Sequence, residues 1–358
     1  MRTTIPTSFR SATAKSSNDS SPNATSSRSI VAIGGGSGLA VLLRGLKPLV
    51  GGPFDQLTGV VTVSDDGGSS GRLRRELGVL PPGDIRNCLV ALADDEDLLA
   101  ELFQYRFENG DGLSGHSFGN LFLSALTGLT GDFYRAILTA ERVLSVRGKI
   151  LPATLGDVRL MGVGESGCRY EGESAIGHSG EEMVELELEP ASPEAFPPVL
   201  EAIEKADLVL LGPGSLYTSI LPNLLIPGIA DVLRRSQAPV VLVLNLMTQP
   251  GETDEMNGPD HLAALERHAG SGLVDHVLIN SRPVAAENLA PYFEVGARPV
   301  GWESSSRFAS TLEVLARDLL APGSPVRHDG SKLAAAAVEL LEEHSIQATS
   351  AALPAVRE

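Results

Sequence analysis

The chain has 358 residues, 42% of them hydrophobic but only 4% aromatic, so its core is expected to be built of Leu, Val, Ile and Ala. That profile suits an α/β protein in which helices cover parallel strands. A formal net charge of −17 excludes a general binder of nucleic acid or anionic membrane, which needs an excess of Lys and Arg facing phosphates, but leaves room for a small phosphorylated ligand held by a local cluster such as Arg72, Arg74, Arg75 and Arg86.

Residues 1–28 are rich in Ser, Thr and Asn without apolar periodicity and read as a disordered tail. Arg2, Arg10 and Lys15 give it a faint transit-peptide flavour, but the amphipathic pattern of such peptides is missing. A single α/β domain is expected from 29 to 345, in three blocks, followed by a flexible tail from 346 to 358. The first block opens with a strand at Ile30–Ile33, a glycine turn, and a helix from Leu39 to about Leu46. A second strand, Leu57–Val63, runs into Ser64-Asp65-Asp66-Gly67-Gly68-Ser69-Ser70-Gly71, a run read as a loop that wraps a ligand. Helical stretches are expected at Gly83–Ala93, Asp95–Phe107, Ser117–Leu126 and Phe133–Leu144.

The second block, about 148 to 192, holds the short, turn-separated segments Ile150–Leu155, Val158–Val163, Cys168–Ser174 and Met183–Glu189, expected as an antiparallel hairpin insertion. The α/β rhythm then returns. Strand Leu208–Leu211 leads through Gly212-Pro213-Gly214-Ser215 into a helix reaching Arg235. Strand Val240–Leu244, a helix at Asp260–His268, strand His276–Ile279 and a helix at Lys332–Glu343 complete it. The fold class is therefore α/β, Rossmann-like and three-layered, with a mostly parallel sheet and a small insertion. No apolar run approaches the ~18–20 residues of a membrane span. Cys88 and Cys168 are the only cysteines; outside any CxxC pair they argue against structural zinc and disulfides, and a cytoplasmic setting follows.

Gly34-Gly35-Gly36-Ser37-Gly38 has the context of a phosphate cradle. Glycines let an anion approach the backbone, and a helix N-terminus offers free N–H groups and a positive dipole end. Leu39 occupies the place of the third glycine of GxGxxG, and no GK[ST] follows, so neither the dinucleotide fingerprint nor a Walker A loop is present. A tight strand–helix connection without a ligand would use the same glycines. Asp65 and Asp66 end the second strand on the same sheet edge, where ligands of open α/β sheets bind. They could accept sugar hydroxyls or hold a cation; the alternative is turn chemistry. Ser69 and Ser70 follow them. Arg86 and Asn87 fall in the first turn of a helix, near any bound anion, with Asp84 a candidate cap. His116 and Asn120, in Gly115-His116-Ser117-Phe118-Gly119-Asn120, offer an acid/base or phosphate donor and an amide, or simply a capped helix. Gly212, Gly214 and Ser215 repeat the strand–glycine–helix arrangement. Asn245 and Asn280 end later strands, where they could read a base or sugar or serve as turn residues. No HExxH or paired histidines suggest a protein-built metal site, and no GxSxG elbow supports a serine hydrolase.

Taken together, Ile33–Gly38, Ser64–Arg74, Pro82–Asn87, Gly115–Asn120, Gly212–Ser215 and Asn245-Leu246-Met247-Thr248-Gln249-Pro250-Gly251-Glu252-Thr253 resemble the bacterial gluconeogenesis-factor family (YvcK-like), over about residues 29 to 345. That family is related in fold to 2-phospho-L-lactate transferase (CofD-like). The resemblance implies binding of a UDP-sugar, UDP-N-acetylglucosamine above all, a role in cell shape and envelope synthesis under gluconeogenic growth, and a homo-oligomer, a dimer. It also implies that Tyr292 and Arg327 contact the UDP-sugar. In the transferase the segment after the aspartates runs toward an Asp-rich substrate motif, whereas here Pro82–Asn87 stands in that region. The nucleotide end is thus retained and the acceptor end altered, favouring a binding regulator. The alternative is a transferase using a nucleotide-linked phospho-substrate, with Asp65 and Asp66 as catalytic groups and Mg²⁺ as cofactor. An NAD-dependent oxidoreductase is a weaker third reading, given the broken fingerprint.

Overall fold

The computed structural model describes residues 27–94, 98–303 and 312–352. Residues 1–26 of the tail expected at 1–28, the first three residues of the helix expected at Asp95–Phe107, and 353–358 of the tail expected from 346 lie outside the described residues.

Among the described residues ten strands form two sheets: β1 (Ser29–Gly34), β2 (Gln56–Val61), β3 (Lys149–Pro152), β4 (Arg159–Gly164), β5 (Arg169–Glu171), β6 (Met183–Glu189), β7 (Leu208–Leu211), β8 (Val240–Val243), β9 (His276–Asn280) and β10 (Glu313–Arg317). The main sheet has the order β10-β9-β8-β7-β1-β2-β3, and every pairing in it is parallel. The expected fold class is the observed one. Strands buried on both faces explain the unbroken apolar runs that mark them. Ile30 and Ala32 of β1 face the helices Gly36–Leu46, Gly83–Leu92 and Gly330–Ala352 through Leu39, Leu43, Ile85, Leu89 and Leu333. Val31 and Ile33 face the opposite layer through Leu216, Leu221, Ile229 and Leu265. The chain moves from β1 outward to β2 and β3, then returns to place β7 on the other side of β1. Between β1 and β7 the winding reverses, and such a switch point leaves a crevice at the carboxyl ends of the strands.

Several expectations need correction. Ile150–Leu155 is not part of the insertion: β3 pairs with β2 in parallel, Val60 opposite Leu151, as the edge of the main sheet. Its Ile150, Leu151 and Pro152 are all buried, the sign of a two-faced strand rather than a hairpin arm. The insertion sheet proper is β5-β4-β6, antiparallel throughout, and Glu173–Ile176, expected as strand in its first residues, is a helical turn. The glycine-serine run is not a loop: Gly68–Leu77 is a helix that buries Leu73 and ends at Gly78 in the left-handed conformation. Low helix propensity hid it. Gly71 sits where a Cβ would fall 1.8 Å from the Asp66 carbonyl oxygen, so the small residue is a packing requirement. The helix expected after Ser215 is broken into Leu216–Ile220, Leu221–Leu224 and Ile229–Arg235. Helices Pro197–Glu204 and Ala286–Glu294 and strand β10 were not foreseen. The last helix runs to Ala352, past the boundary expected at 345. Among the described residues no single helix is long and apolar enough to cross a membrane.

Helix Gly36–Leu46 crosses the first turn of helix Gly330–Ala352 backbone to backbone. A Cβ added at Gly45 would lie 1.9 Å from the Gly330 carbonyl oxygen. Overpacking two backbones that cannot yield costs about 1–3 kcal/mol or more. Gly45→Ala is therefore expected to lower the denaturant midpoint by a matching amount, and an unchanged midpoint would show that this crossing is not close in solution.

Candidate functional site

The first glycine turn begins with Gly34, whose carbonyl oxygen accepts the Thr62 N–H at 3.0 Å. Gly35 is extended and precedes the helix; Gly36, its first residue, has φ +62. The second turn follows β7, and its Gly212–Pro213 peptide is cis. The two turns touch without side chains between them. A Cβ at Gly38 would fall 2.3 Å from the Pro213 carbonyl oxygen, and one at Gly34 within 3.7 Å of the Gly212 Cα. Two amides, the half-buried Asn245 and the buried Asn223, lock this contact. Asn245, just beyond β8, donates to the Gly214 carbonyl at 2.9 Å and accepts the Gly214 N–H at 3.3 Å. Asn223 donates to the carbonyls of Gly34 and Ser219. Asn245 thus holds the loop, where a base or sugar contact was one expectation. Asn280 accepts the Leu319 and Arg282 N–H groups, the turn alternative.

Above the paired turns lies a cavity of about 590 Å³, within the usual range for small-molecule sites. Gly35, Gly36, Ser37, Gly38, Gly214, Ser215 and Asn245 form its floor, with Tyr292 and Arg327 across from them. Gly34 and Gly212 lie behind the floor as strand ends. Ser215 donates through its hydroxyl to Gln249 at 2.6 Å. Tyr292 is half-buried and donates its hydroxyl to the Val326 carbonyl at 3.4 Å, and Val295 and Ala297 extend the apolar wall. Arg327 is exposed.

His328 escaped the sequence reading, and only its place beside Arg327 could have flagged it. It lines the cavity, its Nε2 is buried with no hydrogen-bond partner, and burial pushes its pKa down to about 4. The imidazole is neutral at physiological pH and suits a ligand N–H or O–H better than a phosphate. Glu252 was likewise missed. Fully buried, it accepts the Tyr217 N–H at 2.9 Å at the start of the helix after the second glycine turn, and burial raises its pKa to about 7.

Asp65, Asp66, Ser69, Ser70, Arg86, Asn87, His116 and Asn120 do not line this cavity. They form a polar cluster beside it. Asp84 joins the two: its Oδ2 lies 2.6 Å from where a Cβ on Gly35 would stand, and its carboxylate accepts the Gly36 N–H. Asp84 is therefore not the cap of its own helix, whose Pro82 N-cap makes no side-chain bond. Ser70 accepts the Gly83 N–H at 3.1 Å, and Ser69 Oγ and His116 Nδ1 are 2.9 Å apart. Burial, then Arg72, lowers the His116 pKa. Arg86 is buried and donates to the Ser117 hydroxyl and the Asn87 carbonyl oxygen, leaving its Nε and the Asn120 Oδ1 unpartnered. Asp66 accepts both the N–H and the hydroxyl of Ser174, and Glu173 accepts the Ser64 hydroxyl at 2.5 Å. Burial raises the pKa of Asp65 and Glu173, with neighbouring aspartates adding to it. Among the described residues no group of three or more His, Cys, Asp or Glu is arranged to hold a metal ion.

Comparison with known proteins places these features in a family. The model described as 2-phospho-L-lactate transferase CofD matches residues 30–320. A protein named gluconeogenesis factor from Halalkalibacterium halodurans is 47% identical over 313 residues, covering 87% of this chain and 96% of that one. Its namesake from Bacillus subtilis is 46% identical over 315 residues, covering 88% and 98%. The crystal structure of a UPF0052-family protein from Bacillus halodurans superposes with a TM-score of 0.83 at 46% identity, covering 88% of this chain and 99% of that one.

Burial, and secondarily Asp65, raises the pKa of Asp84 from 3.8 to about 6. The folded state therefore holds this proton more tightly than the unfolded chain. The contribution of this group to stability is greatest below about pH 4, falls as pH rises to about 6, and stays reduced above it. Asp84→Asn keeps an acceptor for Gly36 without the charge. It is expected to stabilise the protein at pH 8 by on the order of 1–3 kcal/mol and hardly at all at pH 4. Equal effects in denaturation curves at the two pH values would refute this.

Proposed function

This chain belongs to the CofD family and, within it, to the gluconeogenesis factors, and from that premise we propose that it is a nucleotide-sugar-binding regulator whose ligand is UDP-N-acetylglucosamine. One observation carries the reading: two glycine turns, Tyr292, Arg327 and a neutral His328 line one cavity at the switch point of the sheet. The pyrophosphate lies over Gly35–Gly38 and Gly214–Ser215, where backbone N–H groups and a helix dipole meet it. Arg327 forks onto the phosphate oxygens from the opposite wall. The uracil ring packs on Tyr292 and the neighbouring Val295 and Ala297, a suitable surface for a flat ring with polar edges. His328 Nε2 accepts from a ligand N–H or hydroxyl. No catalytic group is needed for this arrangement. The protein then acts in the cytoplasm, as a homodimer, to adjust carbon partitioning and cell-envelope morphogenesis during gluconeogenic growth. Exposed leucines such as Leu98 and Leu129 offer apolar surface for the dimer.

Titration calorimetry with UDP-N-acetylglucosamine tests the proposal. The wild type is expected to bind, and Arg327→Ala to weaken binding by about 10- to 100-fold, the value of one or two charge-assisted hydrogen bonds. No binding by the wild type, or unchanged binding by the variant, would count against it.

The family model and the carboxylates Asp65 and Asp66 near the carboxyl edge of β2 favour one second reading, a transferase acting on a nucleotide-linked phospho-substrate. The metal expected for it fits poorly: no three ligating side chains converge among the described residues, and Asp66 Oδ1 is engaged by Ser174. Incubation with a guanylylated phospholactate donor and the deazaflavin acceptor, with and without Mg²⁺, should yield product if this reading holds. Absence of turnover in every condition sinks it.

A further inference from the structure

A second cavity, of about 550 Å³, opens on the other side of the buried carboxylates, lined by Ser64, Asp66, Arg74, Arg75, Arg159 and Glu171 among others. Helix Gly68–Leu77 forms one wall and the insertion strands β4 and β5 the other. It is separate from the cavity above the glycine turns, since the two share no lining residue. Asp84, which touches Gly35 of the first cavity, and Glu173, which is bonded to Ser64 of the second, stand between them.

The charges around this cavity are unequally engaged. Arg74 pairs with Asp157 and donates to the Val158 carbonyl, both through Nη2. Arg159 pairs with Glu171 through Nη1 at 2.8 Å, on an exposed part of the rim. A guanidinium carries five N–H donors in a planar fork, so these contacts leave most of the donors of both arginines unused. Arg75 has no hydrogen bond or ion pair among the described residues. Its guanidinium folds back along the helix, with Nη1 3.3 Å from where a Cβ on Gly71 would stand, and Gly71 is itself part of the lining. Between the start of that helix and Gly172, Asp66 uses Oδ1 to accept from Ser174; its Oδ2, beside Gly172, takes no donor among the described residues.

From this geometry we propose that the cavity is a second ligand site, for a small metabolite that carries a phosphate or carboxylate and a hydroxyl. The anionic end lies between Arg75, Arg74 and Arg159, where planar donors fork onto paired oxygens. The hydroxyl end donates to Asp66 Oδ2. The three arginines and the three carboxylates Asp66, Asp157 and Glu171 balance before the ligand arrives. A compact anion is therefore accepted, and an extended polyanion such as nucleic acid is not. This site goes beyond the nucleotide-sugar reading and does not depend on it.

Phosphoglycolate, 3-phosphoglycerate and plain acetate serve as probes, with binding followed by calorimetry and by ³¹P line broadening for the two phosphates. The wild type is expected to bind 3-phosphoglycerate more tightly than phosphoglycolate, which lacks the hydroxyl, and to bind acetate weakest. Arg75→Gln is expected to weaken 3-phosphoglycerate by about tenfold or more, and Arg75→Lys by less. Arg75 makes no hydrogen bond or ion pair among the described residues, so its replacement is expected to leave the fold intact, with the thermal midpoint as control. Arg327→Ala is expected to leave these affinities unchanged. The proposal is overturned if the wild type binds neither phosphate, if Arg75→Gln binds as well as the wild type, or if Arg327→Ala abolishes binding and thereby places the probe in the first cavity. Failure of UDP-N-acetylglucosamine binding in the same protein would remove the nucleotide-sugar reading and leave this one standing.

Discussion

The structure turns on a contact between two stretches of bare backbone. β1 and β7 are hydrogen-bonded neighbours, Ile33 opposite Leu211, so the turns that leave them must emerge side by side. Any side chain at Gly38 would strike the Pro213 carbonyl. Removing the Cβ lets the turns close on each other, and Asn245 and Asn223 then hold them through four hydrogen bonds. Polar groups spent on fixing a loop cannot reach a ligand, but they leave the neighbouring N–H groups oriented before anything binds. Preorganisation of that kind lowers the ordering cost of binding.

Electrostatics work against this cradle as well as for it. Directly beneath Gly35 sits Asp84, with Asp65 and Glu173 beyond it, and burial holds all three toward the protonated state. Arg86, buried beside them, offsets part of the charge. An anion over the glycine turns would favour protonated carboxyls still further, because like charges a few ångströms apart cannot all ionise cheaply. With the net charge at −17, the cavity relies on backbone dipoles and on Arg327 rather than on a general positive field. Neutral groups such as His328 fit that economy: they confer selectivity without adding charge.

How much of this was legible in the sequence depends on whether local residues carried the cause. The parallel sheet could be read because β1, β7 and β8 are short, continuously apolar runs ended by Gly or Asn. The glycine turns could be read because their chemistry lies within five residues. Gly68–Leu77 could not, since two glycines and two serines at its start outweigh Leu73 on any propensity scale, and the partners of those serines lie far along the chain: Ser69 meets His116 and Ser70 accepts the Gly83 N–H. β3 was assigned to the wrong sheet because it follows a long helical excursion and immediately precedes true hairpin strands. The site residues were divided by the fold in the same way. One motif list became one cavity above the glycine turns and a polar cluster beside it, of which only Asp66 reaches the second cavity. Asn245 looks like a ligand group in sequence, yet it bonds to the backbone of the loop it was expected to complement, and Glu252, which no local pattern flags, bonds to the Tyr217 N–H just beyond that loop.

The insertion has a mechanical consequence for that wall. Asp66 grips Ser174, and Ser64 grips Glu173, so the short helix Glu173–Ile176 is fastened to the end of β2 by three side-chain bonds. Gly172, at φ +89, brings its backbone so close that a Cβ there would overlap Asp66 Oδ2. The carboxyl end of β2 is thus shaped by the insertion as much as by the sheet. A motion of β4, β5 and the Glu173 turn would free Asp66 Oδ1, expose Glu173, and change the field felt at Asp84 and hence under the glycine turns. Two cavities that share no lining residue are thus separated by one wall, whose carboxylates are held in place in part by the insertion.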